Sequence, residues 1–404
     1  MPYWLRAVLF VGAMLALTLG TSFHVHRRAA TTFALSRRGR WLLAALLACG
    51  PALLLLSRRA EAWIGVGASG SLGVAGSIVV LATAASSLGL AIAQALGWLS
   101  SRLARDAGVP SMPPAPEAVE AEPVALAMGR RELLRRASVG VPIAAAIGAS
   151  AYGALFGRYD YAVEEIAVRI DGLGPALDGY RIAQLSDFHF GVFCGAPERR
   201  AAVELVRRAR PDLVVLTGDL VDNAIAHTPE VGRLVRELAA LRPRDGVVVI
   251  GGNHDYYAGL EEVLDAARRG GARVLRNEGI VVAEGSVALL GLDDVWGARY
   301  GWGPGPDLSA ALAGVPADLP RVVLSHNPVT FTATASHVAL QLSGHTHGGQ
   351  LAIAGYPAGA LMPYVRGLYR EHGSYLYVNR GFGVAGPAAR LGAAPELTVI
   401  TLRS

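Results

Sequence analysis

Leu213-Val214-Val215-Leu216-Thr217-Gly218-Asp219-Leu220-Val221-Asp222 sets the pattern from which the fold is read. The aliphatic, β-branched run predicts a buried strand over Leu213–Leu216, a glycine breaks it, and two carboxylates stand just past its end. The same order recurs on both sides. A run ending at Leu185 leads to Asp187 and His189, and Val247–Ile250 leads to Asn253, His254 and Asp255. Val322–Leu324 leads to His326, and Val338–Leu342 to His345 and His347. Amphipathic helices and Gly-rich turns separate these runs, as in an α/β domain. Residues two apart on extended chain share a face, so Asp187 with His189, and His345 with His347, are expected side by side.

Oxygen and imidazole donors in this mixture suit borderline divalent ions such as Mn, Fe, Zn or Ni. They are too many for one ion. Two ions about 3.5–4 Å apart, sharing one carboxylate, would polarise a phosphoryl oxygen and generate hydroxide at neutral pH.

Taken together, Asp187-Phe188-His189, Gly218-Asp219 with Asp222, Gly252-Asn253-His254-Asp255, the isolated His326 and Gly344-His345-Thr346-His347-Gly348-Gly349-Gln350 resemble, in order, the five blocks of the calcineurin-like metallophosphoesterases. The resemblance covers roughly residues 180–404, and Asn379-Arg380-Gly381-Phe382-Gly383 is similar to the membrane-associated bacterial branch. It implies a four-layer α/β/β/α sandwich, with Asp187, His189, Asp219 and His347 around one metal ion. Asn253, His326, His345 and the shared Asp219 would surround the second. It further implies His254 beside the leaving group, as proton donor or stabiliser of phosphoryl charge, with Asp255 orienting it. The implied reaction is hydrolysis of a phosphate ester or phosphoanhydride by a metal-activated hydroxide attacking in line.

The rest of the chain is of another kind. Of 404 residues 52% are hydrophobic and 17% charged, and the mean hydropathy is +0.37, too apolar for an ordinary soluble enzyme. Through Arg158 there are 15 Arg against six acids, and from Tyr159 onward 22 Arg against 26 acids, so the basic character belongs to the N-terminal part. A nucleic-acid binder would carry its basic patch on the globular domain; no nucleic acid is expected as a partner. Apolar stretches at about 8–23, 41–56, 63–99 and 139–156 predict an all-α transmembrane region: three spans within 1–106, a Pro/Ala-rich linker with an Arg cluster over 107–136, and a fourth helix over 137–158. Arg40, Arg58 and Arg59 read as interfacial anchors of the second stretch. The first and third loops hold most of the Arg and belong inside. The domain over 159–404 is then expected outside the cytoplasmic membrane of a bacterial-type cell.

Membrane attachment favours a lipid-linked or nucleotide-linked acyl-sugar phosphate, or another phosphodiester. Arg380 and Arg390 are candidates for clamping its oxygens. Residues 351–369 read either as an apolar entrance wall or as core. The alternatives are a metal-holding sensor that does not hydrolyse and a nuclease of the same superfamily. Nothing in the sequence points to a protein partner.

Overall fold

The computed structural model describes residues 3–106, 129–353, 356–357 and 362–404; of the linker and Arg cluster expected over 107–136, residues 107–128 lie outside them, while the cluster from Arg130 is already helical and belongs to the helix expected only from 137. The chain divides into two compact units, Met1–Leu55 with Ala75–Ala151, and Leu56–Val74 with Tyr152–Ser404.

Three helices supply the first unit, α1 (Tyr3–Thr32), α2 (Arg37–Asp106) and α3 (Arg130–Leu155), except that the stretch Leu56–Val74 of α2 and the end of α3 from Tyr152 belong to the second. α2 consists of two rods. At Gly65 the backbone turns to φ 78° and ψ 160°, a conformation open to a residue without Cβ, and the helix doubles back there. Further along the arms, a Cβ on Gly76 would strike the Leu54 amide and the Gly50 carbonyl, so small residues set the approach of the rods. Val25 of α1, Leu47 and Leu90 of the two arms and Val139 of α3 pack into one small core. Larger apolar side chains face outward instead, with Leu42 73% and Leu19 69% exposed, the inverse of a soluble bundle. Segments Arg37–Leu103 and Arg130–Tyr159 are long and apolar enough to cross a membrane.

In the second unit two six-stranded sheets are stacked. Sheet one holds β1 (Ala162–Arg169), β2 (Arg181–Leu185), β3 (Leu213–Thr217), β4 (Val247–Ile250), β5 (Arg273–Val274) and β14 (Glu396–Arg403), in the order β1-β14-β2-β3-β4-β5. Sheet two holds β6 (Glu278–Val282), β7 (Val287–Gly291), β8 (Arg321–Leu324), β9 (Leu340–Ser343), β12 (Gly367–Glu371) and β13 (Ser374–Val378), in the order β12-β13-β9-β8-β7-β6. β10 (Ala352–Ile353) and β11 (Tyr356–Pro357) form a separate ribbon. Outside sheet one lie α4 (Ala196–Ala209), α5 (Thr228–Ala240) and α7 (Leu260–Gly270), the last preceded by the short α6 (Asn253–Ala258). α8 (Val295–Tyr300), α9 (Leu308–Leu312) and α10 (Phe331–Thr334) accompany sheet two.

Strand β3 shows why the chain layers this way. Val214 and Leu216 pack with Val206 of α4 and Val235 of α5, while Leu213 and Val215 pack with Leu289 and Val322 of sheet two. Alternate residues thus face opposite apolar layers, which is why the run has no polar alternation. The four layers are α/β/β/α, as expected. Strands β2, β3 and β4 run parallel, as do β7, β8, β9 and β13. Buried Gln184 ties the sheets together, donating to the Ser343 carbonyl at 2.9 Å and to Thr217 Oγ1 at 3.0 Å. Loops leaving the carboxyl ends of parallel strands are where open α/β sheets place their sites. Within 351–369, Tyr364 is buried against Phe331 and Tyr369 packs beside it, so these two belong to the core; residues 354–355 and 358–361 lie outside the described set.

Candidate metal centre

Three of the five loops turn sharply as they leave their strands. Asp187 (φ 54°), His189 (49°), Asp219 (52°), His345 (73°) and His347 (52°) all occupy the left-handed region, which non-glycine residues seldom adopt. Asp187 and His189 therefore do not share a face of extended chain, as their spacing suggested; two backward twists bring them together. Hydrogen bonds between loops maintain those twists. The Asp187 amide donates to the Gly218 carbonyl and the His189 amide to the Asp219 carbonyl, each at 3.0 Å. From the other sheet, the Phe382 and Gly383 amides donate to the Ser186 and Asp187 carbonyls at 2.8 Å. Strain of this kind collects at functional sites.

All seven residues expected around metal ions meet at one place. Donor atoms of Asp187, His189 and His347 lie within 4.8 Å of one another, and so do those of Asp219, His326 and His345. His347 Nε2 is 3.0 Å from His189 Nε2 and 3.3 Å from Asp187 Oδ1. On the other side, His326 Nε2 is 3.2 Å from Asn253 Oδ1 and 3.3 Å from His345 Nδ1. Asp219 joins the groups: its Oδ2 is 3.6 Å from His189 Nε2 and 3.2 Å from His326 Nε2, while its Oδ1 accepts the His254 amide at 2.8 Å.

Most of the donors are in the chemical form a cation needs. Burial, with the nearby charge of His254, pushes His189 down to about 3. Burial and His326 push His345 down to about 4, and burial with His189 and Arg390 holds His347 well below its usual range. These three imidazoles stay neutral with a lone pair available. Burial alone would raise Asp219, but the imidazoles of His326, His254 and His189 more than offset it, and it remains a carboxylate. His326 Nδ1 donates to the Thr217 carbonyl at 2.8 Å, which turns Nε2 into the cluster. Without an ion, His326 holds a proton beyond its usual range against burial, chiefly through Asp219; a divalent cation would replace that proton.

His254 stands at the rim, its side chain 22% exposed. Burial would lower it, yet Asp219 and Asp222 push it up to about 9. Its Nδ1 donates to the Asp222 backbone carbonyl at 2.7 Å and lies 3.5 Å from Asp222 Oδ1. Asp255, expected to orient this ring, is employed elsewhere: its oxygens accept the Leu220, Val221 and Gly252 amides at 2.9, 3.1 and 2.9 Å. It caps α6 and fastens the Asp219 loop. Asp222 is the carboxylate beside the His254 ring.

The two arginines considered as phosphate clamps are also engaged in the scaffold. Arg390 is 1% exposed and donates to the carbonyls of Arg380, Gly381, Gly383 and Ala393, with Nη2 3.2 Å from His347 Nδ1. Arg380 pairs with Glu164 and Glu396 at 2.6 Å each. Two residues of the site escaped the sequence reading. Asp294, past the end of β7, caps α8 through Oδ1, and its buried Oδ2 has no hydrogen bond among the described residues; burial pushes it up to about 6. The run Val287–Gly291 followed by Leu292-Asp293-Asp294 was its signal, a sixth copy of the strand-then-acid pattern. The other is Arg58, whose Nη1 lies 2.6 Å from Asp222 Oδ2; nothing near it in sequence shows that pairing.

Comparison with known proteins agrees with this geometry. The sequence model of the calcineurin-like phosphoesterase family matches residues 180–349. An uncharacterised metallophosphoesterase of Aquifex aeolicus is 34% identical over 251 residues, 61% of this chain and 93% of that protein. The metallophosphoesterase YkuE of Bacillus subtilis is 31% identical over 292 residues, covering 69% and 98%. A transmembrane protein with a metallophosphoesterase domain from Danio rerio is 31% identical over 264 residues, covering 62% and 60%. With aligned sequence, the ordered blocks and His/Asp groups able to bind metal, the chain belongs to the calcineurin-like metallophosphoesterases and is a metal-dependent phosphoester hydrolase.

Proposed function

We propose that the centre holds two divalent ions, one on Asp187, His189, Asp219 and His347, the other on Asn253, His326, His345 and the shared Asp219. The position of Asp219 Oδ2, between His189 Nε2 at 3.6 Å and His326 Nε2 at 3.2 Å, is the observation that carries this division. Once bound, the ions supply positive charge to the phosphoryl oxygens and make water more acidic. His254, anchored through Nδ1 and open at the rim, presents its Nε2 edge to the leaving oxygen and gives it a proton. Asp222 keeps that ring in place.

The substrate we infer is a phosphodiester or lipid-linked phosphate presented at a bilayer. Apolar α2 and α3 support this, as does the likeness to a protein named for its transmembrane part. Tyr257, in edge contact with His254, and Trp302 beyond it give the leaving-group side an aromatic wall. We further infer four spans with the catalytic domain outside the cytoplasmic membrane, from the Arg-rich first and third loops.

The test is metal content and turnover of the full-length protein in detergent. His254→Ala should lower kcat on a nitrophenyl phosphodiester while keeping the metal, whereas Asp219→Ala should lose both. Equal metal loss in the two variants would refute the division of roles. A reporter fused after Ser404 that is active only in the cytoplasm would refute the topology.

A further inference from the structure

The tip of the α2 hairpin, Leu56–Val74, falls in the same compact unit as the phosphoesterase domain, and its contacts gather around Asp222. Besides its ion pair with Asp222 Oδ2, Arg58 donates to the Gly386 carbonyl at 3.4 Å and lies over the Phe193 ring at 5.8 Å. One turn later Glu61 meets His227 Nε2 at 3.1 Å. On the returning arm Gly70 abuts the Val192 carbonyl too closely for a Cβ. The tip is thus seated on loops that follow β2 and β3, both of which carry site residues.

Asp222 links this contact to the chemistry. Its Oδ1 accepts from Asn223 Nδ2 at 3.1 Å and faces His254 Nδ1 at 3.5 Å and His189 Nδ1 at 3.9 Å, while Oδ2 faces the Arg58 guanidinium. Among the described residues no other Arg lies within ion-pair distance of it. A carboxylate held from one side only can rotate about χ2; held by Arg58, it keeps one oxygen on the ring that it positions. Residues that orient site groups in this way commonly contribute about 10- to 100-fold to activity or metal affinity.

We propose that Arg58 is a positioning residue of the phosphoesterase site, a side chain from the apolar helical region that fixes Asp222 and through it His254, so that the site is complete only with the hairpin tip in place. This rests on the role given above to His254. A domain cut at Tyr159 would lack the residue altogether.

The full-length chain in detergent, with Mn²⁺ and bis(4-nitrophenyl) phosphate, provides the test. Arg58→Ala should lower kcat about 10- to 100-fold, with KM and bound metal within about twofold of wild type. Arg58→Lys should recover part of the loss, and added millimolar guanidinium should restore part of the Arg58→Ala rate. Arg58→Ala should have no further effect in an Asp222→Asn background. Glu61→Gln, which removes the His227 pair at the tip while leaving Arg58 on Asp222, should behave as wild type. The proposal is overturned if Arg58→Ala keeps its kcat, if its loss multiplies with that of Asp222→Asn, or if Glu61→Gln loses as much. A wild-type chain that hydrolyses nothing would defeat the reaction and this role together, whereas an active wild type with an equally active Arg58→Ala defeats this role alone.

Discussion

The two groups of donors proposed to hold the two ions are built by different means. Asp187, His189 and His347 all sit on left-handed backbone, held there by the distant Asn379–Gly383 loop and by Arg390 behind His347. Asn253 opens a short helix capped by Asp255, and His326 leaves a regular strand with its Nδ1 on the Thr217 carbonyl. One group is braced by the Asn379–Gly383 loop and Arg390, and the other, although its His345 is left-handed as well, by the Asp255 cap and the Thr217 carbonyl. Damage to the supporting parts should therefore separate the halves, while damage to the shared carboxylate should not.

Asp219→Asn tests that shared element and should have the largest effect: loss of both ions by metal analysis and a fall in kcat of at least about 100-fold, more than a supporting residue gives. Retention of one ion at full occupancy would show the halves to be independent even there. Arg390→Met should break the first half selectively. It leaves several buried carbonyls without a donor, each worth about 1–3 kcal/mol before relaxation, so a loss of about 3 kcal/mol in denaturant unfolding is expected, with bound metal falling toward one ion per chain. Equal loss from both positions would erase the distinction. Asp255→Asn should act on the second half more mildly, by about 0.5–2 kcal/mol as for other caps, again read from denaturant unfolding.

The smallest effect concerns His254, which lies beside both halves. In metal-free protein its value of about 9 exceeds the roughly 6.5 of an unfolded chain. A raised value stabilises the fold fully below pH about 6.5, and that contribution fades as pH climbs through about 9. The difference in Tm between metal-free wild type and His254→Gln should accordingly shrink from pH 6 to pH 9.5. A difference that grows with pH would reverse the sign and place the ring away from Asp219 and Asp222.

Sequence legibility follows the same division. Strand runs and the polar residues directly after them are local features, so an α/β domain and the residues from Asp187 to His347 could be read in order, while the four layers were what the family resemblance implied. What remained hidden depends on pairs remote in sequence. Asp255 adjoins His254 in the chain but bonds amides at Leu220 and Val221. Arg390 looks like any exposed arginine until the loop that encloses it is folded. Arg58 ends an apolar stretch, where a membrane anchor is the ordinary reading, and its partner lies 164 positions away. The left-handed turns at Asp187 and His189 have no local signature either, since neither is glycine.

Strand β14 lies between β1 and β2, and this has a consequence for how the protein is made. A ribosome completes β2 at Leu185 and reaches Glu396–Arg403 only some two hundred residues later, roughly 10 to 40 s at about 5–20 residues per second. Until then the sheet that carries Asp187 has a gap between its first two strands, with hydrogen-bonding edges open on both sides. Through that interval the nascent sheet offers those edges to any other strand, and β2 gains its β14 neighbour only when the interval ends.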